Sequence, residues 1–251
     1  MSSRMRCLDV RPFSGTRRVA RGRLLVGVWL ALSVGLAGMA PADPPAEVTL
    51  EVGFEGSLIG AAGEVPLTAS GVTFESGVEG QAGVFGSPNE VTFTAAGNLD
   101  PTSGSLRFWI QPSWAGTDVE SRWVLRHGGL GGLLVGRDGA GYWRIILNRW
   151  GGGGQPELGA GVSIADWSAG EWHHAAFNWS ADAIEIFVDG ERVQSVTPVV
   201  APPAVAETTF WLGSDAGAEA LDAALDELVI TDEPLTEEEV LASYLAGITI
   251  S

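Results

Sequence analysis

One strand-like stretch of the sequence carries the mixture of side chains that recognises sugar hydroxyls. Between Tyr142 and Trp150, alternate positions place Tyr142, Arg144, Asn148 and Trp150 on one face, because successive side chains of a strand point to opposite sides. Arginine and asparagine beside an aromatic ring suit a polyhydroxyl ligand, and the glycines at 151–154 would leave the backbone accessible. The pattern predicts a ligand-binding site at Arg144, Asn148 and Trp150. The alternative is an outer sheet face that binds nothing.

The opposite face of the same stretch is purely apolar, with Trp143, Ile145 and Leu147, and is expected to face a core. Roughly a dozen short stretches of this kind follow one another, separated by glycine-rich turns, as is typical of an all-β sandwich. No internal repeat or linker interrupts them, so we expect a single domain after the N-terminal segment.

A hairpin between Glu171 and Arg192 is the clearest of these elements. Residues 184–188 alternate strictly, and Asp189-Gly190 is a dipeptide that tolerates the positive φ angles of a tight turn. His173 and His174 are neighbours on the preceding strand, so they should point to opposite faces and cannot chelate one metal together.

The chain ends in a predicted helix. Thr236 and Glu239 have the spacing of a capping box, and Leu235 and Val240 that of a hydrophobic staple. The sequence predicts an apolar face of Val240, Leu241, Tyr244 and Leu245, with Gly247 ending the helix.

The first 42 residues differ from the rest. Seven of the fourteen arginines precede an apolar run, Leu24 to Met39, which is followed by Ala40-Pro41-Ala42. This order predicts a secretory signal peptide at 1–42, with the domain at 43–251. The alternative is an uncleaved membrane anchor, although the run is just short of the ~20 residues that span a bilayer. After cleavage, we expect a secreted, cell-surface or periplasmic chain without a membrane span.

Charge and cysteine content narrow the function classes. The whole chain has a formal charge of −17, and after cleavage seven arginines would face thirty acidic residues, a net charge of −23. Such a chain is not expected to bind nucleic acid, which demands clustered basic side chains. Its one cysteine, Cys7, lies before the cleavage site, so we expect no disulfide framework. The acidic charge favours solubility, with calcium binding as the alternative.

Four segments resemble the laminin-G-like jelly-roll domains of the concanavalin A-like lectin/glucanase superfamily. Residues 80–85 resemble the Gly-x-x-Gly/Ala-aromatic edge strand of these domains, and residues 97–114 resemble their turn, strand and Trp-x-x-Pro element. Residues 167–190 resemble the hairpin that runs from Trp-His-His to Val-Asp-Gly, and residues 212–247 resemble the closing Asp-Glu strand and terminal helix. The resemblance implies a jelly roll of two packed antiparallel sheets that often bears calcium and binds glycans or proteins.

The resemblance also implies a metal site. Asp226 is a carboxylate in an otherwise apolar strand, Leu225 to Leu228, and needs a partner. In similar domains the matching acid helps to hold a structural calcium, with oxygens from the first strand region, where Glu55 is the candidate. We therefore expect one structural calcium at Asp226 and Glu55; the alternative is a carboxylate hydrogen-bonded to a turn.

Sequence support for catalysis is weak. Glucanases of the superfamily carry a Glu-x-Asp-x-x-Glu-like set of acids on one strand. The nearest acids in this sequence are Glu185, Asp189 and Glu191, but Asp189 belongs to the hairpin turn, so these acids do not form a facing catalytic pair. We expect an exported, non-catalytic recognition module that binds a carbohydrate or mediates surface adhesion. The alternatives are a protein-binding or structural surface module and a divergent polysaccharide-cleaving enzyme of the same fold. The expected partner is a glycan or an extracellular protein.

Overall fold

The computed structural model describes residues 45–129, 132–147 and 157–250. Thirteen strands and one helix lie within these ranges, and Pro44–Ser251 forms one compact unit. The elements are β1 Val48–Val52, β2 Thr68–Ser76, β3 Gln81–Thr94, β4 Gly104–Pro112, β5 Arg122–His127, β6 Leu133–Arg137, β7 Tyr142–Leu147, β8 Leu158–Ser163, β9 His173–Trp179, β10 Ile184–Val188, β11 Glu191–Val196, β12 Thr209–Leu212, β13 Ala223–Thr231 and α1 Glu237–Ile250.

The strands form an antiparallel sheet that folds over into two facing layers, as the alternation predicts. The strand order is β11-β10-β9-β4-β13-β3-β12-β5-β6-β7-β8, with β1 paired to β13 and β2 paired to β3. The long strand β3 links the layers, because residues 83–85 pair with β13 while residues 91–94 pair with β12. At the far end, β8 contacts β10 and β11, so the sandwich is nearly closed.

Aromatic rings from both layers meet in the core. Trp143 of β7 packs against Phe108 of β4 and Phe177 of β9, with ring centroids 6.2 Å and 5.8 Å away. Trp143 is fully buried, and Ile145 and Leu147 lie beside it in the same core cluster, which confirms the predicted core face of β7. Fully burying a side chain of this size stabilises the fold by about 2–3 kcal/mol.

The hairpin of β10 and β11 turns at Asp189-Gly190, whose φ angles are 51° and 82°. The Asp189 carboxylate accepts hydrogen bonds from the backbone N–H of His174 at 2.8 Å and contacts His173 Nδ1 at 3.0 Å. This turn therefore ties β10 to β9 as well as to β11.

The capping box predicted for α1 is present. Thr236 N donates to Glu239 Oε2 at 2.8 Å, and Glu239 N donates to Thr236 Oγ1 at 3.2 Å. Leu235 packs on the small cluster that contains Val240, so the predicted staple is also formed. No helix among the described residues is long and apolar enough to cross a membrane.

The predicted end of the helix at Gly247 is wrong, since α1 continues to Ile250. A Cβ at Gly247 would lie 2.5 Å from Cζ2 of Trp109, so this glycine lets the helix approach the sheet rather than ending it. The predicted apolar face is also only partly buried: Val240 is covered and Tyr244 stacks on Trp109, whereas Leu241 and Leu245 are 44% and 46% exposed.

Candidate functional site

The outer face of β7 presents Arg144, one of the three side chains predicted to bind a ligand. Tyr142 is 47% exposed and Arg144 is half-buried on the same face, while Ile146 packs on Trp123 and Leu134. Asn148 and Trp150, the other two predicted ligand residues, lie outside the described residues, so the structure places only Arg144 of the predicted set.

Arg144 is held in place by two carboxylates. Its Nη1 donates to Asp138 Oδ2 at 3.0 Å and its Nη2 to Glu157 Oε1 at 3.4 Å. Asp138 also accepts from the backbone N–H of Ala140 and Tyr142, each at 3.0 Å, so one carboxylate orders both the turn and the guanidinium. The stem of Arg144 lies over Gly161, where a Cβ would come within 2.9 Å of its Cγ. The side chain keeps 30% exposure, which leaves its outer edge open to a ligand.

A cavity of about 290 Å³, lined in part by Tyr142, lies at one end of β7. Its lining brings three loops together at one end of β6, β7 and β8, with hydroxyl, carboxylate and glycine backbone groups: Gly116, Thr117, Asp118, Val119, Gly139, Ala140, Gly141, Tyr142, Ser163 and Ala165. An aromatic ring next to hydroxyl and carboxylate groups can both stack on a sugar ring and bond its hydroxyls.

Buried Arg137 supports the base of this region. Its Nη1 donates to the carbonyl of Glu120 at 2.5 Å and its Nη2 to that of Gly116 at 3.3 Å, while its guanidinium lies 5.6 Å from the Trp114 ring. Burial lowers the pKa of Arg137 below its ordinary value, and neighbouring carboxylates including Asp118 oppose that shift. These contacts fix the loop at 116–120 and therefore the wall of the cavity.

Sequence reasoning missed a second aromatic group on the same outer face. Trp211 is half-buried on the outside, with the Arg126 guanidinium 5.2 Å from its ring. Arg126 Nε in turn lies 2.6 Å from Asp215 Oδ1. Trp211 pairs with Arg126, which pairs with Leu134, and Leu134 pairs with Ile146 of β7. The alternation of Phe210 and Leu212 with Trp211 was the signal that could have found this residue.

Asp226 occupies the site predicted for a metal ligand and is fully buried. Its Oδ2 accepts from the backbone N–H of Val78 at 2.8 Å and of Glu79 at 3.0 Å, and its Oδ1 from that of Glu227 at 2.9 Å. Burial raises the pKa of Asp226 to about 6 against the opposing effect of these hydrogen bonds, and the nearby charge of Glu55 raises it further.

Glu55 and Asp226 hold the same turn, between β2 and β3. Glu55 Oε1 accepts from the backbone N–H of Gln81 at 3.0 Å, and a Cβ at Gly80 would collide with the Glu55 carboxylate. Two carboxylates on one turn supply the hard oxygens that calcium prefers, so their chemistry fits this ion. Within the described residues, however, no three His, Cys, Asp or Glu side chains form a metal-binding group. Backbone carbonyls and water would have to supply the remaining ligands.

Glu227, the residue after Asp226 on β13, carries a further partly buried carboxylate. Burial raises its pKa to about 7, with repulsion from Asp226, Glu79 and Glu51 as further causes, while Arg107 lowers it. Its φ angle of 48° lies in the left-handed region, at the break in register between Asp226 and Val229. The irregular backbone thus lies at two adjacent carboxylates, Asp226 and Glu227, whose pKa values are both raised.

The two adjacent histidines lie on opposite faces of β9, as predicted. The ring of His173 stacks on Trp167 at 4.1 Å, whereas Nε2 of His174 lies 3.1 Å from the hydroxyl of Ser243 on α1. Burial, followed by the charge of Arg107, lowers the pKa of His174 to about 4. Each histidine therefore serves a separate packing contact.

The acids nearest to the glucanase motif are engaged in the hairpin. Glu185 Oε1 accepts from Arg192 Nη1 at 2.8 Å and its Oε2 from Asn178 Nδ2 at 3.2 Å. Asp189 forms the turn described above, and Glu191 begins the returning strand.

Comparison with solved structures supports the fold. Domain 4 of AbnA, a GH43 extracellular arabinanase from Geobacillus stearothermophilus, in complex with arabinotriose, is 18% identical, with a TM-score of 0.63, over 79% of this chain and 98% of that one. The receptor binding domain of botulinum neurotoxin D is 13% identical, with a TM-score of 0.64, over 80% of this chain and 53% of that one. The binding domain of Paraclostridial Mosquitocidal Protein 1 is 12% identical, with a TM-score of 0.60, over 79% of this chain and 52% of that one. The chain thus spans about half the length of the two toxin domains.

No curated protein matches the chain. A family model, Laminin_G_3, matches residues 85–241, which include β4 to β13 and the first turn of α1. Both the predicted resemblance and the predicted jelly-roll class are confirmed. The chain belongs to this laminin G family of the concanavalin A-like lectin/glucanases superfamily.

Proposed function

We propose that the protein is an exported, non-catalytic carbohydrate-binding module whose ligand site is the outer face of β7 and the cavity beside it. The observation that carries this proposal is the exposed Tyr142, which lines the cavity together with Thr117, Asp118 and Ser163 and shares its strand face with Arg144, held by Asp138. Domain 4 of the arabinanase in complex with arabinotriose supports a glycan as the ligand class.

The ligand is a neutral glycan. The net charge of −23 that remains after cleavage repels an anionic polysaccharide at long range, and Asp118, Asp138 and Glu157 lie at the site itself. The cavity of about 290 Å³ is at the lower end of ligand pockets, which measure about 300–1,000 Å³, so it suits one or two sugar units of a longer chain.

A glycan array of neutral oligosaccharides, followed by calorimetry with the best hit, tests the proposal. Tyr142→Ala is expected to weaken binding about tenfold, because it removes the stacking surface at a cost of about 1–1.5 kcal/mol. Arg144→Met, which keeps the stem and removes the donors, is expected to weaken it similarly.

Arg192→Met is the matched control, since this arginine is exposed on β11 and pairs with Glu185. Binding that survives both Tyr142→Ala and Arg144→Met would move the site elsewhere on the surface. Absence of binding to every glycan, with and without calcium, would refute the carbohydrate function.

We propose further that Asp226 and Glu55 hold one structural calcium ion. Bound calcium would favour the ionised carboxylate of Asp226, whose pKa is raised mainly by burial, and so stabilise the fold by linkage. The expected result is a higher melting temperature in calcium than in chelator, lost in Asp226→Ala and unchanged in Glu171→Gln, an exposed carboxylate on the loop before β9. An unchanged melting temperature of the wild type would contradict the calcium site.

Export rests on the signal-like segment at 1–42. N-terminal sequencing of the protein recovered outside the cytoplasm is expected to begin at Asp43. A mature chain that retains Leu24 to Met39 would instead support the membrane-anchor alternative.

A further inference from the structure

Strand β2 forms an open edge of the sandwich. Among the described strands it pairs only with β3, and most of its residues are exposed. An edge strand presents N–H and C=O groups that another extended segment can pair with.

Few of the usual edge protections are present in β2. It contains no lysine, arginine or proline, and its one charged residue is Glu75. A bulge at Gly71, with φ of 75° and a register shift between Ser70 and Val72, interrupts its first half. Beyond the bulge, Val72–Ser76 pairs regularly with residues 81–85. A partner strand can therefore pair along these five residues.

An apolar cavity of about 400 Å³ adjoins this edge, between β2 and the loop that follows β1. Val72 and Phe74 line it from the inner side of β2 and are only partly buried against the core. On the loop side, Ile59 and Val65 are 54% and 64% exposed. The edge of the core is therefore incompletely covered at this end of the sandwich.

The stretch of chain that forms this edge and its neighbouring loop carries only one sign of charge. Residues 45–106 contain eight acidic side chains and no lysine, arginine or histidine. Glu75 alternates with the inward-facing Val72 and Phe74 and so lies on the outer side of β2, and the exposed Glu90 of β3 pairs in register with Ser70. A second copy of the chain would bring the same acidic surface to the edge, whereas a basic partner would complement it.

We propose that the edge of β2 binds an extended segment of a partner protein in which apolar side chains alternate with lysine or arginine. The segment adds a strand to the sheet along Val72–Ser76 by backbone hydrogen bonds. Because its side chains alternate in direction, one set enters the apolar cavity and the other faces Glu75 and Glu90. This site is separate from the glycan site on β7, so either can fail without the other.

A fluorescein-labelled decapeptide that alternates lysine and valine is the probe, titrated with the folded protein and followed by anisotropy. Saturable binding is expected, and a peptide of equal charge with proline replacing the central valine is expected to bind at least tenfold more weakly, because proline cannot donate to a β ladder. Equal binding of the two peptides would show attraction by charge alone and overturn the proposal, as would the absence of saturable binding.

Two sets of variants locate the site. Val65→Glu is expected to weaken binding at least tenfold, whereas Val199→Glu, at a valine that is 78% exposed on the connection between β11 and β12, leaves binding unchanged. Glu75→Gln and Glu90→Gln are each expected to weaken it about two- to fivefold, as for exposed charge pairs. Equal binding by Val65→Glu and the wild type would overturn the proposal. So would a concentration-dependent dimer that Val65→Glu abolishes and the peptide does not dissociate, because a second copy would then occupy the edge.

Discussion

Replacing Glu227 by glutamine is expected to stabilise the folded protein at pH 8 and to leave its stability at pH 4 nearly unchanged. Burial and the charges of Asp226, Glu79 and Glu51 raise the pKa of Glu227 from 4.5 to about 7, although Arg107 offsets part of this effect. Glutamine keeps the size of the side chain and removes the charge that the cluster disfavours.

The direction in which the stability changes with pH follows from proton linkage. Because the pKa of Glu227 is higher in the folded state, the native protein binds more protons than the unfolded chain between pH 4.5 and pH 7. Its free energy of unfolding therefore falls as pH rises through this window and levels off above it. Each pKa unit corresponds to about 1.4 kcal/mol, and the partial exposure of Glu227 reduces the expected loss to about 1–2 kcal/mol. Asp226, with a pKa of about 6, adds a second loss in the same direction.

Urea unfolding followed by tryptophan fluorescence, at intervals from pH 4 to pH 8 in chelator, measures this dependence. Glu227→Gln is expected to exceed the wild type by about 1–2 kcal/mol at pH 8 and to show a shallower decline with pH. Glu171→Gln, an exposed carboxylate on a separate loop, should reproduce the wild-type curve. If Glu227→Gln is no more stable than the wild type at pH 8, or declines as steeply, the electrostatic account of this cluster is wrong.

Three further predictions concern packing and turns, each measured as the free energy of unfolding in urea at pH 7. Gly247→Ala is expected to destabilise by about 1–2 kcal/mol despite the better helix propensity of alanine, because the added Cβ overpacks against Trp109; a gain would contradict the close approach. Asp189→Ala is expected to cost about 1–3 kcal/mol through lost hydrogen bonds to β9, and Asp189→Asn less, since asparagine tolerates the φ of 51°; equal losses would argue against the turn geometry. Thr236→Ala is expected to cost about 1 kcal/mol by removing the cap of Glu239 N, and a loss below a few tenths would show that the capping box contributes little.

The candidate glycan site was predictable only in part. Period-two alternation correctly separated the core face of β7 from the face of Tyr142 and Arg144, because the direction of a strand side chain depends only on its position along the strand. The partners of Arg144 and the loop at 116–119 that completes the cavity are not encoded in that alternation. They meet Tyr142 because the ends of β6, β7 and β8 lie together in the folded sheet.

The sequence by itself determined the features that depend on neighbouring residues: the alternating strands, the positive-φ turn at Asp189-Gly190, and the capping box of α1. Only the tertiary structure decided which distant groups meet. Asp226 accepts from the backbone N–H of Val78, which is 148 positions away in the chain, and Gly247 serves the approach of the helix to Trp109 rather than the end of the helix. The physical reason is the sequence separation over which each interaction acts. Strand and helix propensities and helix caps depend on a few neighbouring residues, whereas these contacts depend on the packing of whole layers.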